Sequence, residues 1–132
     1  MTSIRSHALL DHDAATVWVT IRDIGAVSEW FPSIIESEST DVGRNVTLAD
    51  GTRLVEETVT LDEDLRRYQY RIIGGDLVPE VHLGTLDVID LGEGRSLLMY
   101  GSDVVPDGVA AAFDPAIGEA VAALGAYLGQ HA

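Results

Sequence analysis

Residues 70–90, YRIIGGDLVPEVHLGTLDVID, carry the clearest folding signal in the chain. They have the pattern of a strand, a glycine-containing turn and a second strand, which is typical of an antiparallel hairpin. In the second strand His82, Gly84, Leu86 and Val88 can share one face, because side chains alternate along a strand. The pattern therefore predicts an imidazole among small and apolar neighbours on one face of a sheet.

The same period of two extends on both sides of this hairpin. Apolar and polar residues alternate from Ser33 to Tyr100, and turns rich in Gly, Asp and Glu separate the runs. Strands joined by such short turns pair in the antiparallel direction. The sequence thus predicts seven antiparallel strands, at residues 3–10, 34–40, 44–49, 53–61, 66–73, 79–91 and 95–104.

Two short helices are predicted between the first and second strands. Asp13 stands where a helix N-cap would, and Val17, Trp18 and Ile21 follow at helical spacing. Gly25 fits the end of this helix. The sequence AVSEWF, residues 26–31, predicts a second helix that Pro32 terminates.

A long amphipathic helix is predicted at the C-terminal end. Its apolar stripe consists of Phe113, Ile117, Val121, Leu124 and Leu128, spaced three or four residues apart. Proline is tolerated in a first helical turn, so Pro115 predicts either a start near Phe113 or an irregular first turn.

These elements together predict a single α+β domain over residues 1–132. A seven-stranded antiparallel sheet that must bury one face has one long helix available to cover it. We expect the sheet to curve around that helix and to leave a gap between the two, and gaps of this kind hold ligands.

Composition narrows the classes of partner and compartment. The chain has 132 residues, of which 46% are hydrophobic and 23% charged, as in a globular protein. Its formal charge of −14 repels phosphate groups, so neither nucleic acid nor an anionic membrane is an expected partner. It contains no cysteine and no apolar run of signal-peptide or membrane-spanning length, which predicts a soluble cytoplasmic protein. A monomer and a homodimer both fit the sequence.

The order of elements resembles the helix-grip fold of the START/Bet v 1-like (SRPBCC) superfamily over nearly the whole chain. The stretch AATVWVTIRDIGAVSEWFPSI, residues 14–34, is similar to the helix pair of that superfamily. VEETVTLDEDLRRYQYRIIGG, residues 55–75, is similar to its central strands, and VVPDG, residues 104–108, leads into its last helix. Within the superfamily the chain looks most like the polyketide cyclase/dehydrase branch, which also includes the plant abscisic acid receptors.

The resemblance implies an internal cavity that binds lipids, hormones or polyketides, or that catalyses cyclisation and dehydration. Alignment with the plant receptors puts Glu56, Tyr70, Ile72 and His82 at inward-facing positions. The receptors' gate loop has no counterpart in LADGT, residues 48–52, and their latch falls on Leu77, Val78 and Pro79. Their carboxylate-binding lysine falls on or beside Glu36, which argues against hormone sensing and against an acidic ligand.

Three residues are candidates for catalysis, each with an ordinary structural alternative. An inward-facing His82 is a possible general base or hydrogen-bond anchor, although a lone histidine on a strand is more often structural. Glu56 in an apolar cavity would suit proton transfer, although exposure is the default for glutamate. Tyr70 could donate to a carbonyl oxygen, but core packing explains it equally well.

A further set of residues is expected to contact a ligand. Tyr100 has the opposite parity to Met99 and Asp103, so it is not expected to face the cavity with them. Trp18 is assigned to the core. The predicted ligand-binding residues are Trp30, Phe31, Tyr68, Ile72, Leu86, Met99, Asp103, Ile117 and Val121.

Neither a metal site nor a cofactor is expected. The four histidines lack metal-ligand spacing, and the glycines of IIGGD and LGEGR do not open a helix after a strand. The first functional hypothesis is a cofactor-free cyclase or dehydratase acting on a mostly apolar, carbonyl-bearing small molecule such as a polyketide. The alternatives are a non-catalytic carrier of a small apolar or amphipathic ligand and a partner-binding domain with a filled core.

Overall fold

The computed structural model describes residues 1–131 and confirms the predicted helix-grip architecture. Residues 1–131 form seven strands and two α-helices, and all neighbouring strands pair antiparallel. The strands are β1 (Thr2–Leu10), β2 (Ile34–Ser39), β3 (Gly43–Leu48), β4 (Arg53–Asp62), β5 (Arg67–Gly75), β6 (Val81–Gly92) and β7 (Arg95–Val105). The helices are α1 (Ala14–Arg22) and α2 (Ala110–His131), and short 3-10 helices cover Ile24–Glu29 and Asp107–Val109.

The strands form one curved sheet in the order β1-β7-β6-β5-β4-β3-β2. Consecutive strands from β2 to β7 are neighbours, while β1 joins the free edge of β7. The β6–β7 ladder is long, extending from Val81 opposite Val105 to Gly92 opposite Arg95. The β5–β6 ladder is short and pairs only Arg67–Tyr70 with Gly84–Asp87. Beyond Tyr70 the two strands therefore separate.

The helical segment after β1 begins as predicted and ends differently. Asp13 caps α1, its carboxylate accepting a hydrogen bond of 2.7 Å from the amide of Thr16. The second short helix, predicted over residues 26–31, is a 3-10 helix that covers Ile24–Glu29. Its tighter turn uses bonds between residues three apart, such as that from the Trp30 amide to the Val27 carbonyl.

The last helix starts earlier than its proline suggested. It begins at Ala110, so Pro115 lies inside it instead of in its first turn. The missing amide of Pro115 would have bonded four residues back, to the solvent-exposed Ala111, whose carbonyl water can satisfy. A 3-10 turn over Asp107–Val109 leads into the helix.

The core lies between the concave face of the sheet and the buried stripe of α2. Ile117, Val121, Leu124 and Leu128 are buried on that stripe. By length and composition alone this segment is apolar enough to cross a membrane, but here it packs against β1 and β7. Trp18 of α1 also lies in the core and donates from its indole nitrogen to Glu63 in the β4–β5 turn, at 2.6 Å.

Candidate functional site

A cavity of about 220 Å3 lies between the concave face of the sheet and α2. Its apolar wall comes from both layers and includes Phe31, Ile34, Val46, Ile72, Phe113 and Ile117. Glu56, Tyr70, His82, Tyr100 and Ser102 supply polar atoms from β4, β5, β6 and β7, and loop residues Asp50, Thr52 and Leu77 complete the lining. The arrangement is that of a small-molecule site, with a few polar groups set in an apolar surround.

His82 is held at the point where β5 and β6 separate. The amide of Ile72 has no partner on β6 there, and it donates instead to Nδ1 of His82 at 3.1 Å. Burial lowers the pKa of the imidazole to about 4, so the ring is neutral at pH 7. A neutral ring that accepts at Nδ1 carries its proton on Nε2. His82 therefore presents a hydrogen-bond donor, with its ring against Tyr70 and Phe113.

Glu56 forms an ion pair with Arg44 inside the protein. The two residues lie opposite each other on β4 and β3, and both are nearly inaccessible, with 4% and 3% of their surface exposed. Arg44 Nε donates to Glu56 Oε1 at 2.7 Å, and Nη1 donates to the carbonyl of Ile24 at 3.2 Å. Burial is the largest single influence on the pKa of Arg44 and acts to lower it, but the Glu56 carboxylate together with Tyr68, Tyr70 and Tyr100 holds that pKa above its ordinary value.

The guanidinium of Arg44 also lies against two tyrosine rings. Its central carbon is 5.3 Å from the centroid of Tyr68 and 4.9 Å from that of Tyr70, within cation–π range. The two rings are stacked, with centroids 5.5 Å apart. Arg44 thus connects Glu56 on one side to the aromatic wall of the cavity on the other.

The hydroxyl groups of Tyr70 and Tyr100 are hydrogen-bonded to each other inside the cavity wall. Burial raises the pKa of both phenols above the ordinary value, so both stay protonated at neutral pH. Gly84 makes room for this arrangement, since a Cβ atom at residue 84 would lie 2.5 Å from the Tyr70 ring. The pair offers one O–H donor that the partner hydroxyl does not use.

Ser102 adds a hydroxyl without a partner. Only 2% of the residue is exposed, and within residues 1–131 its Oγ atom has no hydrogen-bond partner. It lies on the cavity wall on the same strand and the same face as Tyr100. An unpaired buried hydroxyl is costly, and a polar atom of a bound molecule would satisfy it.

Six of the residues proposed from sequence lie on the cavity wall. They are Phe31, Glu56, Tyr70, Ile72, His82 and Ile117. Four others are buried in the surrounding core without lining the cavity: Trp30, Tyr68, Leu86 and Val121.

Met99 and Asp103 do not belong to the site, and their placement corrects the expectation for β7. The buried residues of that strand are the even ones, from Ser96 to Val104, so Met99 and Asp103 lie on the convex face. Asp103 there accepts a hydrogen bond from Ser3 on β1. In SLLMYGSDV, residues 96–104, apolar residues occur at both parities, and the alternation alone therefore chose the wrong face.

Sequence reasoning missed Arg44, Tyr100, Ser102 and Phe113. For Arg44 the alternation along β3 was a signal, because Arg44 shares the parity of the buried Val46. It also lies near the start of a strand that forms a hairpin with β4, the strand of Glu56. The default that arginine is exposed hid this signal. Within residues 1–131, no group of three or more His, Asp or Glu side chains is placed to hold a metal ion.

Comparison with known proteins places the chain in a family. The family profile described as polyketide cyclase / dehydrase and lipid transport matches residues 1–129. No curated protein matches the sequence.

Among solved structures, XoxI from Bacillus cereus is similar over 100% of this chain and 99% of its own, with a TM-score of 0.88 and 22% identity. The ZhuI aromatase/cyclase from Streptomyces sp. R1128 is similar over 98% of this chain and 94% of its own, with a TM-score of 0.87 and 14% identity. Norcoclaurine synthase from Thalictrum flavum, in complex with a transition-state analogue, gives a TM-score of 0.73 and 17% identity over 98% of this chain and 95% of its own. These likenesses show a shared fold.

With a match over nearly its whole length and a curved sheet around a C-terminal helix, the chain belongs to the polyketide cyclase / dehydrase and lipid transport family.

Proposed function

We propose that the protein binds a small, mostly apolar carbonyl compound in the cavity and catalyses proton transfer next to that carbonyl, without a cofactor. The observation that carries this proposal is the convergence of Glu56 and the Tyr70–Tyr100 hydroxyl pair on one apolar cavity. Proton removal beside a carbonyl needs an acceptor for the carbon-bound proton and a donor for the oxygen that becomes negative. The cavity holds one of each.

In this scheme the tyrosine pair polarises the carbonyl and Glu56 accepts the proton. The free O–H of the pair donates to the carbonyl oxygen and stabilises the enolate that forms. The enolate carbon can then attack a second carbonyl of the same molecule and close a ring, with a carbon–carbon bond formed and the second oxygen left as an alkoxide. The proton held by Glu56 passes to that alkoxide, and later loss of water gives the unsaturated product.

His82 acts as an anchor in this scheme, not as the base. Its Nδ1 atom is occupied by the amide of Ile72, so the free nitrogen donates. A donor at this position, together with the unpaired hydroxyl of Ser102, suits a second oxygen atom of the bound molecule.

The cavity also limits the size of the substrate. Its volume of about 220 Å3 is below the roughly 300–1,000 Å3 of pockets that enclose drug-sized ligands. A compound of one or two rings fits this volume, whereas a long polyketide chain could place only one end in it.

Deuterium exchange of a simple ketone tests the proposal. Phenylacetone would be incubated with the protein in deuterated buffer, and loss of its α-proton signals would be followed by NMR. We expect catalysed exchange in the wild type and a loss of about 100-fold or more in Glu56→Gln, with little change in binding. Glu57→Gln is the matched control, because Glu57 is next in sequence but pairs with Arg71 on the convex face. If the ketone binds to the protein but its α-protons exchange no faster than in buffer alone, the proposed catalysis is contradicted.

That last result would favour a second function, a non-catalytic carrier. The specific observation in its favour is that Glu56 and His82 already have internal partners, in Arg44 and Ile72. A carrier would release the ketone unchanged, and its melting temperature would rise with ketone concentration as mass action requires.

A further inference from the structure

We infer that Glu56 is a built-in anion that sets the charge selectivity of the cavity, so that the cavity accepts neutral ligands and rejects carboxylates. This inference extends the proposed function by stating that the ligand is uncharged. It rests on the proposed function only in assuming that the cavity binds a ligand. It depends on where the positive charges of the chain lie relative to the cavity.

Arg44 is the basic residue that the structure places behind the cavity wall. The chain has eight basic residues, all arginine. Four of the others, Arg22, Arg67, Arg71 and Arg95, form ion pairs at the surface. Among the described residues that line the cavity, none is basic, and His82 is neutral there.

The carboxylate of Glu56 stands between Arg44 and the cavity. Glu56 is part of the cavity lining, whereas Arg44 is not. The guanidinium is directed at Glu56 Oε1 at 2.7 Å and packs against Tyr68 and Tyr70. A ligand that enters therefore meets the anion of the pair first, and the cation already has its counter-ion.

A second anion in this space would be unfavourable. It would lose its hydration in an apolar cavity, and the Glu56 carboxylate would repel it at short range. Asp50, a loop residue of the lining, adds a second carboxylate of the same sign. On the strands, the other polar atoms of the lining are neutral donors, from Tyr70, Tyr100, Ser102 and His82. Such donors suit carbonyl and hydroxyl oxygens, which carry no charge.

Removal of the Glu56 carboxylate should reverse this selectivity. Glu56→Ala deletes a fragment equivalent to acetate and leaves Arg44 buried without a counter-ion. A free carboxylate that enters from the cavity would then occupy the vacated position and restore the ion pair.

Thermal unfolding at pH 7 with acetate or acetamide, at a fixed ionic strength set with chloride, tests the reversal. We expect acetate to raise the melting temperature of Glu56→Ala, and acetamide at the same concentration to leave it unchanged. Neither compound should change the melting temperature of the wild type. Glu57→Ala is the matched control, because it removes a carboxylate from the convex face instead of the cavity, and its melting temperature should not change either. Failure of acetate to stabilise Glu56→Ala, or equal stabilisation of the wild type, would overturn the inference.

A second measurement keeps the inference testable if Glu56→Ala does not fold. Phenylacetate and phenylacetamide, which differ in charge but hardly in shape, would be titrated into the wild type and followed by NMR. We expect phenylacetamide to bind at least about 10-fold more tightly, and equal or tighter binding of phenylacetate would overturn the inference. Both measurements are independent of turnover. Failure of the protein to exchange ketone protons would contradict the proposed catalysis, and the charge selectivity would still be decided by these two measurements.

Discussion

The ion pair of Arg44 and Glu56 is the least expected residue-level feature of the molecule. Burying two charges costs hydration, and their attraction offsets this only with good geometry and further hydrogen bonds. Arg44 has both, through the 2.7 Å bond to Glu56, the carbonyl of Ile24 and the tyrosine rings. A pair of this kind is weak evidence for stability and better evidence for a function that requires the carboxylate at that place.

Arg44→Met should be strongly destabilising, because it leaves the Glu56 carboxylate buried without a partner. We expect a loss of about 3–5 kcal/mol in the free energy of unfolding, measured with urea. Arg71→Met breaks the matching pair with Glu57 on the convex face, where Arg71 is exposed, and should cost less than about 1 kcal/mol. Equal losses in the two variants would mean that the inner pair has no special role.

The pKa of His82 predicts how stability changes with acidity. The folded state holds this pKa at about 4, below the ordinary 6.5, so the unfolded chain binds the proton more readily. The contribution of His82 is fully present above pH 6.5 and is lost as the pH falls from 6.5 to about 4, by at most about 3 kcal/mol. His82→Gln, which keeps an acceptor for the Ile72 amide, should flatten the unfolding free energy over this range. His7→Gln, at an exposed position of β1, should not.

Among individual residues, the sequence predicted which polar side chains face the cavity better than it predicted their hydrogen-bond partners. Alternation along β6, which puts His82 on one face with Gly84, Leu86 and Val88, favoured an inward-facing His82. For Glu56 the choice over Glu57 rested on the resemblance. The partners, Arg44 and the amide of Ile72, depend on strand register and on where a ladder ends. Those quantities are set by the packing of the whole sheet, which a pattern within one strand does not contain.

At the scale of elements, Gly84 fixes the contact between β5 and β6. A Cβ atom at residue 84 would lie 2.5 Å from the buried Tyr70 ring, so the ring would have to move. Gly84→Ala should therefore displace Tyr70 from Tyr100 and cost about 1–3 kcal/mol in urea unfolding. Gly118→Ala in α2 is the opposite case, since its Cβ would make an ordinary 3.6 Å contact with Ser6. It should stabilise by about 0.5–1 kcal/mol, and a loss there would show that the helix packs differently.

The strands were easier to predict than the helices. Glycine and acidic turns mark where each strand ends, and these signals are local. The start of α2 was misjudged because Pro115 restricts only one hydrogen bond, and packing of Ala110 and Ile117 on the core extends the helix past it. The segment Ile24–Glu29 tightened into a 3-10 helix for a tertiary reason, since Gly25 and Ser28 both bond to Ser37 on β2.

At the scale of the whole molecule, net charge should control stability. A formal charge of −14 on 132 residues makes the compact state repel itself. Raising sodium chloride from about 10 mM to about 150 mM screens this repulsion. The melting temperature should rise by roughly 3–6 °C, which corresponds to about 1 kcal/mol for a domain of this size. A fall in melting temperature would instead show that surface ion pairs such as Arg22 with Glu63 dominate.

The early end of the β5–β6 ladder has a consequence for how molecules reach the interior. The amide of Ile72 bonds to the imidazole of His82 and not to a backbone carbonyl of β6. Rotation of the His82 side chain would break this bond without breaking any backbone pair between the strands. At this point a side-chain hydrogen bond takes the place of a backbone one, and it lies beside the cavity that His82 lines. Rotation of His82 would therefore widen the gap between β5 and β6 next to the cavity, while the long β6–β7 ladder would hold the rest of the sheet together.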